Sequence, residues 1–175
     1  MVYSVSFAHR SAMLGLFLAI VLRSLSVRGY SIYDEHDLVR FSELVNTGNT
    51  FQGITLFIRN DLDMEGIGFV PIGSINNYND HFSGIFDGQG HIISNLNVSS
   101  DKSSVGLFGN CVSSTIKNVV LDDTCSVKAI FSRSDEILNV GGVIGTLVAY
   151  KGYGSIESVI NMGSIIVPGK TGGTL

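Results

Sequence analysis

The feature that most restricts the fold of this chain is an internal repeat. The segments Ile93-Ser-Asn95-Leu96-Asn-Val98, Ile116-Lys-Asn118-Val119-Val-Leu121 and Ile156-Glu-Ser158-Val159-Ile-Asn161 superpose at offsets of 23 and 40 residues. A second motif, Gly106-Leu-Phe-Gly109, returns 36 residues later as Gly142-Val-Ile-Gly145. The four-residue difference between 40 and 36 localises an insertion to Ala149-Tyr-Lys-Gly-Tyr-Gly154, whose glycines suit a protruding loop. Units that recur in this way cannot bury an apolar face alone and acquire a core by stacking.

The repeated unit is built of β-branched residues and glycine, with few strong helix formers, so it is extended rather than helical. Strict alternation fails inside each copy. Ile116 and Val119 are three apart and face one side only if the strand phase shifts between them, at Asn118. Asn tolerates the left-handed conformation that a sharp bend requires. Each copy is therefore expected to be two short strands meeting at a corner, with Ile93, Leu96 and Val98 (and their equivalents) inward and Ser94, Lys117 and Glu157 outward. Asn95 and Asn118 are expected to stack and bond to one another along the axis. Bent strands recurring every 23 or so residues specify an all-β fold, a right-handed parallel β-helix (solenoid).

Such a stack needs its ends covered. Asp34 to Asn46 has the pattern of an N-terminal capping α-helix: Asp34 as N-cap, acids in the first turn, an apolar stripe of Leu38, Phe41, Leu44 and Val45, and Gly48 as the stop. At the other end Thr171-Gly-Gly-Thr-Leu175 resembles the opening of another copy of Val140-Gly-Gly-Val-Ile-Gly145. The expectation is a repeat domain over 30–175 that continues into further coils C-terminal to Leu175.

Residues 1–29 follow the plan of a signal peptide: Arg10, an 11-residue apolar run from Ala12 to Leu22, then small polar residues. Crossing the hydrocarbon core takes about 20 residues, so this run predicts a cleaved leader and no membrane insertion after its removal. Export to the cell surface or the medium follows.

The string Phe82-Ser-Gly84-Ile-Phe-Asp87-Gly88-Gln-Gly90-His-Ile-Ile-Ser-Asn95-Leu96, followed by Val105-Gly-Leu-Phe-Gly109 and Ile116-Lys-Asn118-Val119, resembles the GLUG-motif β-helix proteins. Val45-Asn46-Thr-Gly48, Asn60-Asp61-Leu-Asp63-Met64 and Pro71-Ile72-Gly73 are similar too, so the likeness runs over about residues 32–167. It departs from the pattern at Ser158, where Asn is expected, and near Tyr150. The resemblance implies a repetitive, adhesin-like surface or secreted protein, and a fold and location more than an activity.

Few residues offer chemistry. Asp61, Asp63 and Glu65 alternate, and on a strand they would share one face, where three carboxylates could meet a calcium ion. The plainer reading is a polar turn with Asp61 and Asp63 bonded to local amides. Asp87 beside Gly88 and Gly90 could present a carboxylate to a sugar, with Asp122 or Asp123 as the second acid such a hydrolase needs, against the plainer reading of an Asp-Gly turn. His36, His81 and His91 lack zinc spacing, and Gly84 to Gly90 lacks the Lys-Ser/Thr of a phosphate loop. Asn97-Val98-Ser99 is a glycosylation sequon. Cys111 and Cys125 are expected to be unpaired, because a whole bent strand separates them. No catalytic, metal or cofactor set is assigned. Asp87, Gly88, Gly90, Asn95, Gly106, Gly109, Asn118, Gly142 and Gly145 are read as structural.

Charge narrows the partners. The chain has 11 basic against 15 acidic residues, with Arg10, Arg23 and Arg28 all in the leader, so no basic stripe is left for nucleic acid. At 45% apolar and 15% charged, with 21 Gly and 2 Pro, the sequence is neither disordered nor collagen-like. The expectation is a non-catalytic module binding extracellular carbohydrate or protein. The competing readings are a β-helical polysaccharide lyase or glycoside hydrolase, and a truncated fragment without independent function. N-terminal sequencing of exported protein is expected to show cleavage after Ser26 or Gly29; recovery of a membrane-retained, full-length chain is the contrary outcome.

Overall fold

The structure is a computed structural model and describes residues 29–73, 80–130, 138–150 and 153–167. Of residues 1–29, expected to be a signal peptide, 1–28 lie outside the described residues, whereas Gly29 belongs to the first strand, paired with Thr55. Of the two expected cleavage positions, the one after Ser26 leaves that strand whole.

Among the described residues there are sixteen short strands and one helix, an all-β fold with parallel sheets. The longest sheet stacks β1 (Gly29–Ile32), β2 (Thr55–Ile58), β4 (Ile85–Asp87), β9 (Thr115–Lys117) and β14 (Ser155–Glu157) in that order. A second contains β3 (Leu62–Asp63), β5 (Ile92–Ser94), β10 (Val120–Leu121) and β15 (Ile160–Asn161). A third contains β6 (Asn97–Ser100), β11 (Ser126–Ala129) and β16 (Ser164–Ile166), and Phe69 bridges to Val98 beside it. Two further pairs join β7 (Ser104–Val105) to β12 (Asn139–Val140) and β8 (Phe108–Val112) to β13 (Ile144–Val148). Every strand pairing is parallel.

The chain visits these sheets in a constant order, and the register gives the length of each circuit. Thr55, Ile85, Thr115 and Ser155 stand in line at spacings of 30, 30 and 40 residues. The 23-residue offset is therefore not a circuit. Ile93 pairs with Leu62 and Leu121 in the second sheet, whereas Ile116 pairs with Phe86 and Ile156 in the first. The two look alike in sequence because each precedes a bend and must place the same sequence of inward residues around it. Ile93, Leu96, Val98, Ile116, Val119 and Leu121 are all buried. The ten residues gained in the third circuit fall in two places: four between Val148 and Ser155, where the insertion was expected, and six between Ala129 and Asn139.

The bends are made by left-handed residues. Asn95, Asn118 and Ser158 all have φ of 53°, so Ser158 turns the chain in the same conformation as the Asn it replaces. Asn95 and Asn118 do not bond to each other, because they turn different corners. Each instead donates to a carboxylate on the preceding circuit: Asn95 Nδ2 to Asp63 Oδ1 at 2.8 Å and Asn118 Nδ2 to Asp87 Oδ1 at 2.9 Å. The glycines serve close approach. A Cβ on Gly88 would run into the Asn118 carbonyl, and one on Gly145 would stand 2.7 Å from the Val105 amide nitrogen.

The helix α1 (Glu35–Asn46) begins as its sequence specifies, with Asp34 accepting from the Asp37 amide at 2.8 Å. Leu38, Phe41 and Val45 are buried, but Leu44 is exposed and Ser42 is buried in its place, donating to the Val70 carbonyl at 2.6 Å. Leu44 therefore does not belong to the apolar stripe. The Phe41 ring meets Phe51 and Phe82 edge-on and lies against Phe86, which continues to Phe108, so an aromatic chain ties the helix to the sheets. Along β14 to β16, by contrast, Ile156, Ile160 and Ile165 are about half exposed, although Ile156 and Ile165 are in register with buried Ile116 and Val127.

Replacing Asn118 with Ala removes the bond to Asp87 and puts a Cβ-bearing, non-bonding residue in a left-handed position, with an expected loss of about 2 kcal/mol. Asn118→Gly loses only the bond and should cost about 1 kcal/mol less. Urea titration of the two variants checks the order; equal losses would show that the corner geometry contributes nothing.

Candidate functional site

The acidic residues singled out in the sequence are engaged between circuits. Asp61 accepts from the Ile92 amide at 2.9 Å and from His91 Nδ1 at 3.1 Å, one circuit on. Asp63 accepts from Asn95 and from the Glu65 amide. The three acids Asp61, Asp63 and Glu65 do not converge: β3 covers only Leu62–Asp63, and among the described residues no three acids, histidines or cysteines are grouped to hold a metal ion. The backbone amide of Ile92, followed by His91, holds Asp61 below the ordinary carboxylate range, and the Asn95 amide does the same for Asp63.

Asp87 is the most built-in of these carboxylates. Its Oδ1 accepts from Asn118 and from the Gln89 amide at 3.0 Å, the Asp-Gly turn expected from sequence, and Oδ2 lies 3.4 Å from Lys117 Nζ. Burial acts to raise its pKa, but the bonds from Asn118, Gln89 and Lys117 together bring it below the ordinary 3.8. Asp122 is occupied by Thr124. Asn97 is exposed on β6 and its side-chain oxygen accepts from Ser126 at 3.2 Å. Cys111 and Cys125 are both free thiols and buried; burial pushes Cys111 up to about 12 and raises Cys125 as well.

A different set of side chains, of which the sequence pointed only to His81 and to the inserted stretch carrying Tyr150 and Tyr153, forms a groove of about 610 Å³. Its walls are the neighbours of buried core residues on successive circuits, and left-handed Phe51 and Ser113 shape two of them. Phe51 and Phe82 point into the core, which turns their neighbours Thr50, Gln52, His81 and Ser83 outward. On the next circuit Cys111 is buried while Val112 and Ser113 face the groove. Tyr150 and Tyr153 complete it from the inserted loop and are 65% and 71% exposed.

Backbone bonds hold these walls in place. The Ser83 amide donates to the Thr50 carbonyl at 2.8 Å, Val112 to Phe82 at 2.9 Å, and Ser113 to Val148 at 2.9 Å. Ser113, itself left-handed at φ 51°, accepts from the Tyr150 amide through Oγ at 3.2 Å, and Tyr150 bridges to Tyr153. The legible signal for this groove was the insertion; its occupants became visible only once the register placed Gln52, His81 and Ser113 side by side.

A 112-residue stretch, 63% of the chain, is 30% identical to Halomucin of Haloquadratum walsbyi, and spans 1% of that protein's length. No family model matches the chain, and no solved structure gives a significant match. Among the described residues no helix is long and apolar enough to cross a membrane.

Because Asp61, Asp63 and Asp87 titrate below their ordinary value when folded, their contribution to stability is full above that value and is lost as pH falls through the folded one. Thermal melts followed by circular dichroism are expected to show a falling Tm from about pH 5 downward, and Asp87→Asn to show a shallower fall. An identical acid limb in the variant would mean that the Asp87 bonds contribute no stability.

Proposed function

We propose that the chain is a non-catalytic, exported module: a right-handed parallel β-helix of the GLUG-motif kind, capped at its N-terminal end by α1 and displayed at the cell surface or secreted to bind carbohydrate or protein. The observation that carries this reading is the use made of its carboxylates. A hydrolase or lyase needs acids presented to a cleft, with a second acid within roughly 10 Å. Here Asp61, Asp63 and Asp87 accept bonds from the adjacent circuit, Asp87 also pairs with Lys117, and the open groove that Asp87 borders with Gln89, Asn118 and Ser158 has no second acid among its described lining residues.

The constant order of parallel sheets and the left-handed corners support the β-helix. The apolar run before Arg23 and the partial likeness to Halomucin support the surface location. The closing assay is incubation of the chain with neutral and anionic polysaccharides. It is expected to yield neither new reducing ends nor unsaturated products, while Asp87→Asn changes stability alone. Product release by the wild type that disappears in Asp87→Asn would replace this reading with an enzyme.

A further inference from the structure

We infer that the groove between Gln52, His81, Ser83, Ser113, Tyr150 and Tyr153 is a binding site for a neutral glycan chain. The inference rests on the reading of the protein as a binding module and names both the place and the ligand class.

Three observations lead there. The first is charge. Among the described residues lining the groove there is no carboxylate, ammonium or guanidinium group, only hydroxyls, one side-chain amide, an imidazole and two phenols. These described lining residues carry no fixed charge to pair with an anionic or cationic ligand, and they offer both donors and acceptors in quantity. That combination suits a molecule covered in hydroxyl groups.

The second is aromatic surface. Tyr150 and Tyr153 keep most of their surface in solvent although each carries a large apolar ring. A tyrosine exposed in this way has a flat face for the axial C–H groups of a pyranose and a hydroxyl for its rim, the amphipathic character that makes the residue common in recognition sites. Both tyrosines belong to the residues added between Val148 and Ser155, where the Tyr150 amide donates to Ser113 Oγ and the Tyr153 amide to the Tyr150 carbonyl, so the backbone under each ring is anchored. Binding then orders little additional structure, which favours affinity.

The third separates a glycan from an extended peptide. A peptide that adds as a strand needs unpaired main-chain groups along an edge. In this groove the amides of Ser83, Val112, Ser113 and Tyr153 already donate to Thr50, Phe82, Val148 and Tyr150. Recognition is left to side chains, and these are arranged as a mixed polar and aromatic floor about 610 Å³ in extent, the volume of a short oligosaccharide and not of a folded partner.

The test uses the mature chain and soluble hexasaccharides of β-1,4-glucan, β-1,4-xylan, β-1,4-mannan and α-1,4-glucan, with oligogalacturonate as an anionic contrast and a proline-rich decapeptide as the peptide contrast. The chain has no Trp and six Tyr, so ligand stacking on Tyr150 or Tyr153 is read directly as a change in tyrosine fluorescence, with calorimetry as the second measure. Saturable binding of at least one neutral hexasaccharide is expected. Tyr153→Ala should weaken it roughly tenfold, Tyr150→Ala/Tyr153→Ala should abolish it, Tyr153→Phe should retain it, and Gln52→Ala should weaken it with the fold intact by circular dichroism.

Absence of saturable binding to every neutral glycan overturns the inference, as does binding that the double variant leaves unchanged. Binding of the decapeptide alone assigns the groove to polyproline ligands and overturns it too. Cleavage of a bound glycan, lost in Asp87→Asn, instead brings down the non-catalytic reading, so the two failures are distinguishable.

Discussion

Everything in this molecule depends on parallel pairing from one circuit to the next. A strand of two to five residues buries little by itself, and its amides are satisfied only by the circuits on either side. That requirement reaches the sequence as a rule about positions. At one register Leu56, Phe86 and Ile116 succeed each other, all fully buried, and at another Leu62, Ile93 and Leu121 do the same. Volume varies between neighbours, but polarity does not. The stack can therefore absorb an aromatic at one level and an aliphatic at the next, and the Phe41, Phe82, Phe86 and Phe108 chain shows where the larger rings were accommodated.

Corners are the second demand of the same geometry. A strand can change direction within one or two residues only through backbone conformations that L-residues with bulky side chains avoid. Asn meets the demand and brings a donor with it, and the donor finds Asp63 or Asp87 one circuit back. Acids that look like reactive groups in a linear sequence are in this way converted into fixings between levels. Lys117 beside Asp87 adds a charge pair to the same position, with the carboxylate buried and the ammonium about a third exposed.

Much of the scaffold was legible from particular residues. Ile116 and Val119, three apart and both apolar, announced a phase shift at Asn118, and the backbone there is left-handed. Asp34 and the spacing of Leu38, Phe41 and Val45 announced the helix. The circuit length was not legible. Two different corners on successive circuits carry nearly the same hexapeptide, so sequence similarity measured the distance between those corners, 23 residues, instead of the 30 that separate Ile85 from Thr115. Leu44 was misassigned for a related reason: helical spacing sets an angle around the axis, while the position of Val70 and Pro71, to which Ser42 and Asn46 donate, decides which side of that angle is covered.

The groove illustrates why a site can escape a reading that captures the scaffold around it. A repeat propagates the same inward and outward pattern at every level, and whatever it propagates is occupied in holding the next level. Something that recognises a ligand must be surplus to that pattern. In this chain four of the ten surplus residues are added between Val148 and Ser155, a stretch that carries Tyr150 and Tyr153. The polar residues opposite them, Gln52, His81 and Ser83, lie some 60 to 100 residues earlier in sequence and share no motif with the tyrosines. The stacking of circuits brings them together: Phe51 and Phe82 face inward, their neighbours line the groove, and Tyr150 and Tyr153 border the same groove from a later circuit. Recognition in such an architecture is therefore to be sought at departures from the repeat, at the level where an inserted loop meets side chains that the core has turned outward.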